Sequence, residues 1–300
     1  MGRTELLLFA KGAAMGAANV IPGVSGGTVA LVTGVYQRLI DALRHFDHRA
    51  LGLLAKRDPG GFVRHTDFWF LVTLGLGVAV SILTLAKVLG WLLSEHPVET
   101  FALFFGLILG SVYFVGVTVR RWGPGTLFAF AVGLAVAVGI AFLEPARPNE
   151  AAWYLLICGV VAIVSMILPG LSGSYVLLLM GNYALVLEAI SEFRLRILAL
   201  VGVGAVLGLL LFSRLISFLF RVLRDATLAL LTGFILGSLV IIWPWKRLPA
   251  DNVKDVSQYE WYLPSLAAGG TWIALALIVA GVAMVWLMER TAATGESSAG

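Results

Sequence analysis

Two stretches of an otherwise apolar chain carry residues able to do chemistry. Pro22-Gly23-Val24-Ser25-Gly26-Gly27-Thr28 and Pro169-Gly170-Leu171-Ser172-Gly173-Ser174-Tyr175 share a Pro-Gly-x-Ser-Gly corner. Proline lacks an N–H and clashes with the turn before it, so it stops a helix. The glycines open backbone angles that other residues disfavour. The hydroxyls of Ser25, Thr28, Ser172 and Ser174 can cap a helix that follows. Each corner therefore predicts helix, tight turn, helix. The start of a helix presents unpaired N–H groups and the positive end of its dipole, which suits an anion. Asn19 and Tyr175 stand close by in sequence and add polar contacts. The chemistry these residues offer is recognition of an anion.

Other polar groups interrupt the apolar runs. Lys11, Arg38, Asp41, Lys87, Glu188 and Arg214 lie within or at the edges of such runs, where charge is costly and functional by default. Lys11, Arg38, Lys87 and Arg214 could attract a phosphate, or the longer side chains could snorkel to the interface. Arg38 and Asp41, three residues apart on one helix, could instead pair with each other. Asp41 and Glu188 are candidates for coupling a proton or a cation. His45, His48 and His65 share a loop but lack the partners and spacing of a metal site. Cys158 is the one cysteine, so no internal disulfide or cysteine cluster forms. No cofactor or metal is expected.

The elements that must position these residues follow from composition. Hydrophobic residues make up 60% of the 300 and charged residues 13%, against about 25% charged in a soluble domain. Mean hydropathy is +0.96. A water-soluble enzyme of this make-up could not cover its own surface. The net charge of +4 sits at the ends of apolar runs, which is the positive-inside pattern rather than a nucleic-acid stripe. The fold class is an all-α integral membrane protein surrounded by membrane lipids. Lys11 interrupts Leu6–Ala10 too early for a signal-peptide core, so the chain is expected to start with its working structure.

Six segments are long and apolar enough to span: Phe68–Leu93, Phe101–Val119, Leu127–Leu143, Leu195–Phe220, Leu228–Trp243 and Leu263–Met288. Leu6–Ile21 with Val24–Leu43, and Trp153–Leu168 with Leu171–Ile190, form two short pairs that read as re-entrant hairpins. Arg44 to Arg64, Arg120-Arg121 and Arg221 to Arg224 mark cytoplasmic loops, and the Glu95–Glu99 and Glu144–Glu150 loops lie outside. Arg194, Arg196, Lys246 and Arg247 depart from that rule. Both termini are placed in the cytoplasm. Most tryptophans fall near span ends, as an interfacial belt.

The chain repeats itself. Ile21–Leu43 aligns without a gap on Leu168–Ile190, matching Pro22/Pro169, Gly23/Gly170, Ser25/Ser172, Gly26/Gly173, Gly34/Gly181 and Tyr36/Tyr183. Asp41 aligns with Glu188, Lys87 with Arg214, and Gly106–Ser111 with Gly233–Ser238. Gly34, Gly75, Gly77, Gly181, Gly202 and Gly204 read as close-packing residues. Repeat one covers about 1–146, repeat two about 147–290, with a polar tail at 291–300, all in a single membrane domain. Each half holds one hairpin and three spans, an odd number of crossings. The halves must then sit in opposite orientations, an inverted repeat with a shared site near the midplane.

At these residues the sequence resembles the bacterial polyprenyl-phosphate transporters once catalogued as domain of unknown function 368. The likeness rests on Gly16–Thr28 and Gly34–Ile40 in the first half, and on Leu168–Ser174 with Gly181–Tyr183 in the second. It implies translocation of undecaprenyl phosphate, the C55 carrier of envelope polymers including peptidoglycan, from the outer to the inner leaflet of the cytoplasmic membrane. The chain would then be a multi-pass inner-membrane transporter rather than an enzyme. The corner residues would hold the phosphate, with H⁺ or Na⁺ as a coupling partner. The resemblance leaves a homo-oligomer open. Two rival readings remain. A secondary transporter of a small soluble anion would share the repeats and the corners. A membrane-embedded polyprenyl-pyrophosphate phosphatase carries an arginine in its corner, where Gly26 and Gly173 stand here, and no Glu-x-x-x-Glu pair accompanies them.

Overall fold

The computed structural model describes residues 3–20, 26–247, 260–265 and 269–296. The described elements of the first half are all helices: α1 (Arg3–Val20), α2 (Gly26–Val32), α3 (Tyr36–Arg44), α4 (His48–Ala55), α5 (Pro59–His65), α6 (Phe68–Glu95), α7 (Pro97–Val117) and α8 (Pro124–Ala141). The second half follows with α9 (Ala152–Ile167), α10 (Gly173–Leu179), α11 (Tyr183–Ser191), α12 (Leu195–Val222) and α13 (Arg224–Ile242). A short antiparallel ladder of β1 (Lys246–Arg247) and β2 (Glu260–Trp261) precedes α14 (Gly269–Glu296).

Each of the six expected spans falls on one helix: α6, α7, α8, α12, α13 and α14. Five described helices are long and apolar enough to cross a bilayer, or up to seven if each bent pair counts as one span. Local chemistry sets their ends. Pro97 and Pro124 open α7 and α8 at first-turn positions, where a missing N–H costs nothing. Asp47 and Asp58 cap the short loop helices α4 and α5 through backbone N–H groups.

The helix after each corner is shorter than expected. Val24–Leu43 and Leu171–Ile190 were each expected as one helix. Each is instead broken in two, at Gly34 (φ +75°) and Gly181 (φ +74°). Glycine takes this left-handed turn without steric cost, and α10 and α11 meet at 111°. These two glycines are therefore turn residues. Gly34 has open space where a side chain would go. Gly75 and Gly202 also face open space, which corrects their reading as packing residues. Gly77 and Gly204 do pack: a Cβ on either would stand about 2 Å from a carbonyl oxygen of the neighbouring helix.

Packing follows the sequence repeat. α1 lies along α6 and its counterpart α9 along α12. α7 lies along α14 and its counterpart α13 along α8, so these pairs cross between the halves. The matched glycines explain the close approach. A Cβ on Gly106 would sit 2.1 Å from the Ile278 oxygen, and one on Gly233 2.1 Å from the Phe130 oxygen. α13 forms the centre, with Leu231, Ile235 and Ile242 wholly buried. The outside is apolar, with Leu83 78%, Phe128 72% and Val279 68% exposed. Such a surface belongs in lipid rather than water.

The basic turns gather at one end. The Arg121 N–H donates to Asp225 at 3.2 Å, and Arg44 donates to Ser217 at 3.0 Å. We call this the basic end. Phe142, Trp243, Trp245 and Trp261 meet at the other. The exceptions to the charge rule have local causes. Arg194 pairs with Glu188 at 2.7 Å and Glu192 at 2.9 Å. Lys246 is buried over the Phe101 ring, 3.8 Å from its centroid.

Candidate functional site

The second corner forms because α9 cannot continue. Leu168, which precedes Pro169, leaves the helix at φ −65° and ψ 125°, as residues before proline do. Gly170 then takes φ +87°, and a Cβ there would stand 2.6 Å from the Phe234 oxygen. Pro169 is fully buried. The Gly170 N–H donates to Thr28 Oγ1 at 2.9 Å, and Thr28 is only 2% exposed. The two corners are thereby joined directly.

The end of α1 also meets the start of α2. Asn19 Oδ1, in the last turn of α1, accepts from the Gly26 N–H at 2.8 Å. A side chain on Gly26 would collide with the Asn19 amide. Thr28 was expected to cap α2, but its oxygen faces Gly170 instead. Ser172 stands at the N-cap of α10 without capping it, and its hydroxyl shares a 2.9 Å hydrogen bond with Ser174. The backbone donors of Gly26 and Gly170 are thus satisfied within the protein.

Beside the second corner, between α9, α10 and α12, lies a cavity of about 300 Å³. Asn19 reaches it from the first half, and Ser172, Gly173 and Ser174 from the second. Gly159, Ala162, Ile163 and Met166 of α9 with Val201 and Ala205 of α12 complete an apolar wall. Every described lining residue is uncharged. Met166, which lines the cavity, is 43% exposed. The cavity can present hydroxyls, an amide and the start of α10 to a guest, with apolar surface alongside.

The other candidates are placed elsewhere. Tyr175 donates towards the Ile140 and Ala141 carbonyls at 3.4 Å. Gly27 is buried within α2. Lys11 donates to the Thr33 carbonyl at 2.8 Å, just past the end of α2, where a cation suits the dipole. Arg38 does not pair with Asp41. It forms a two-pronged ion pair with Asp67 at 2.7 and 3.1 Å, and stacks on Phe70. Asp41 accepts instead from Ser217 at 2.9 Å, where α3 crosses to α12. Glu188 sits in an exposed ion pair with Arg194. Arg214 is exposed on α12. Pro22, Gly23 and Ser25 lie outside the described residues, as does the Lys87 side chain.

Two contributors were not foreseen. Ser217 looked like one hydroxyl among apolar neighbours, and nothing in its spacing tied it to Asp41. Lys246 looked like loop charge; its burial follows from the fold of β1 over Phe101. The Asp47 carboxyl accepts from the Arg49 and Ala50 N–H groups and meets His65 at 3.0 Å. Despite some desolvation, its pKa is held at about 2 by His65 and those N–H groups. Among the described residues no group of three His, Cys, Asp or Glu could hold a metal ion.

A helical chain with five described helices apolar enough to span, or up to seven if each bent pair counts as one, defines a class: polytopic membrane proteins. The chain belongs to the VCA0040-like family, described as undecaprenyl phosphate translocase-like, whose model matches residues 15–259. It is 40% identical over 298 residues to the polyprenyl-phosphate transporter of Vibrio cholerae serotype O1, covering 96% of this chain and 97% of that one. It is 31% identical over 261 residues to the polyprenyl-phosphate transporter of Staphylococcus aureus, covering 81% and 87%. No solved structure matches it.

Proposed function

We propose that this protein moves undecaprenyl phosphate from the outer to the inner leaflet of the bacterial cytoplasmic membrane. The names of its relatives support the substrate class. The observation that carries the reading is the cavity in which Asn19, at the end of α1, meets Ser172 and Ser174 of the second corner. Its polar atoms suit a phosphate head, and its exposed apolar edge at Met166 suits a tail left in lipid.

The two halves act as inverted repeats within one domain. The matched pairings α1 with α6 and α9 with α12 favour this arrangement, as do the exchanged pairings of α7 with α14 and α13 with α8. Rocking one pair of helices against the other would expose the cavity to each side in turn. The basic end faces the cytoplasm, with both termini.

Moving an anion inward opposes an inside-negative potential by about 2.3 kcal/mol per charge per 100 mV. Inward H⁺ or Na⁺ offsets that cost. Asp41 is the better coupling candidate, because it is half-buried at a contact between the halves. Glu188 is already neutralised at the surface by Arg194.

The test is a leaflet assay in liposomes. Purified protein should move labelled undecaprenyl phosphate between leaflets and should not accumulate soluble phosphate. Uptake of soluble phosphate without lipid movement would replace this reading with that of a small-anion transporter.

A further inference from the structure

No described residue lining the corner cavity is charged, but a second cavity has a charged lining residue. It has a volume of about 230 Å³ and lies at the basic end, where the α2–α3 turn faces α7, α12 and α13. Gly34, Gln37, Thr118 and Arg224 line it and are exposed. Phe220 and Val115 are buried beneath. Tyr36 also lines it. That side chain is 1% exposed, and its hydroxyl has no hydrogen-bond partner among the described residues. A buried hydroxyl left unpaired costs free energy that a guest could recover.

The repeat shows that this space is particular to one half. At the matching turn in the second half, a Cβ on Gly181 would stand 2.2 Å from the Ala146 oxygen. The α8–α9 connection fills that place. It is held there by the Ala146 N–H on Leu179 and by paired hydrogen bonds between Asn149 and Asn182. Gly34 instead has open space, and Val35 stands where the second half has Asn182. Among the described residues Arg224 has only a long 3.8 Å contact with Asp225, whose other oxygen takes the Arg121 N–H. The guanidinium is therefore available at the cavity mouth.

We propose that this cavity is a second anion site, which holds a phosphate group between Arg224 and the polar atoms of Tyr36, Gln37 and Thr118. Arginine offers a fork of donors that matches phosphate oxygens. The neutral corner cavity recognises the head by dipoles, and the basic end captures it by charge before release. The lipid phosphate as occupant rests on the transport reading. The phosphate chemistry rests on the cavity alone.

The experiment uses a thiol reporter in the full chain. The native Cys158 is buried, so a Thr118→Cys variant in detergent gives a single reactive thiol for maleimide. Farnesyl phosphate should slow labelling about tenfold or more, and farnesol should not. Adding Arg224→Gln or Tyr36→Phe should remove the protection. Protection by inorganic phosphate at the same concentration assigns the site to free phosphate; protection by farnesyl phosphate alone assigns it to the lipid head. A Gln37→Cys variant gives the same readout should Thr118→Cys fail to fold. Unchanged labelling, in protein that still moves undecaprenyl phosphate in liposomes, overturns this site and leaves transport standing. Protection in wild-type-like protein that moves no lipid overturns the transport reading and leaves the site.

Discussion

Thr28 and Gly170 come from different halves of the chain, and the Gly170 N–H donates to Thr28 Oγ1 at 2.9 Å. The contact lets each corner complete the other. Gly170 sits at a break where no helix can supply an acceptor, and both residues are buried. Replacing Thr28 by valine keeps the shape and removes the acceptor. The stranded N–H should cost about 1–3 kcal/mol. Thermal unfolding in detergent should show a lower Tm for Thr28→Val, and Thr28→Ser should restore most of it.

Gly170 itself admits no side chain. Its φ of +87° and the 2.6 Å approach to the Phe234 oxygen act together. Gly170→Ala must strain the backbone and push α13 away. We expect a larger loss of Tm than for Thr28→Val, with reduced yield of folded protein. Gly34→Ala pays only the backbone cost, since open space surrounds it, and should be the milder change.

Asp41 and Ser217 hold α3 against α12, with Arg44 donating to the same hydroxyl at 3.0 Å. If Asp41 couples ion movement, Asp41→Asn should abolish the response of the lipid transfer rate to an imposed H⁺ or Na⁺ gradient. Ser217→Ala should lower the rate yet keep the response. Liposome transfer measured with and without each gradient separates the two.

Lys246 offers a pH test outside the spans. Burial lowers its pKa from 10.5 to about 7. Between those values the unfolded chain holds a proton that the folded one lacks. Stability should therefore rise with pH from about 7 to about 10. Lys246→Met should remove that contribution and stabilise the protein most near pH 7. The difference in Tm between the two proteins, followed across this range, should shrink as pH rises.

Much of this was legible in the sequence. Hydropathy placed a helix at each of the six clear spans, and the second corner supplied Ser172, Gly173 and Ser174, which line the cavity with Asn19. The pairing of Gly26 with Asn19 and of Gly170 with Thr28 was not legible, because hydrogen bonds between distant segments leave no spacing signal. The breaks at Gly34 and Gly181 were masked by apolar residues on both sides, and a glycine in a helix reads equally as packing or turn. Arg38 was read against Asp41 because helical neighbours are visible in sequence. Its actual partner, Asp67, lies beyond two loop helices. The cavity at Tyr36 depends on what does not fill it, and only the folded chain reveals that.

The central claim is that the corner cavity takes the phosphate head of the lipid. It is tested most directly by the initial rate of undecaprenyl phosphate transfer between leaflets, comparing wild type with a variant carrying Asn19→Ala and Ser172→Ala at equal reconstitution. The variant should lose at least about nine-tenths of the rate, since each lost hydrogen bond to a charged group is worth about 1.5–3 kcal/mol. An unchanged rate in folded variant protein would contradict the claim.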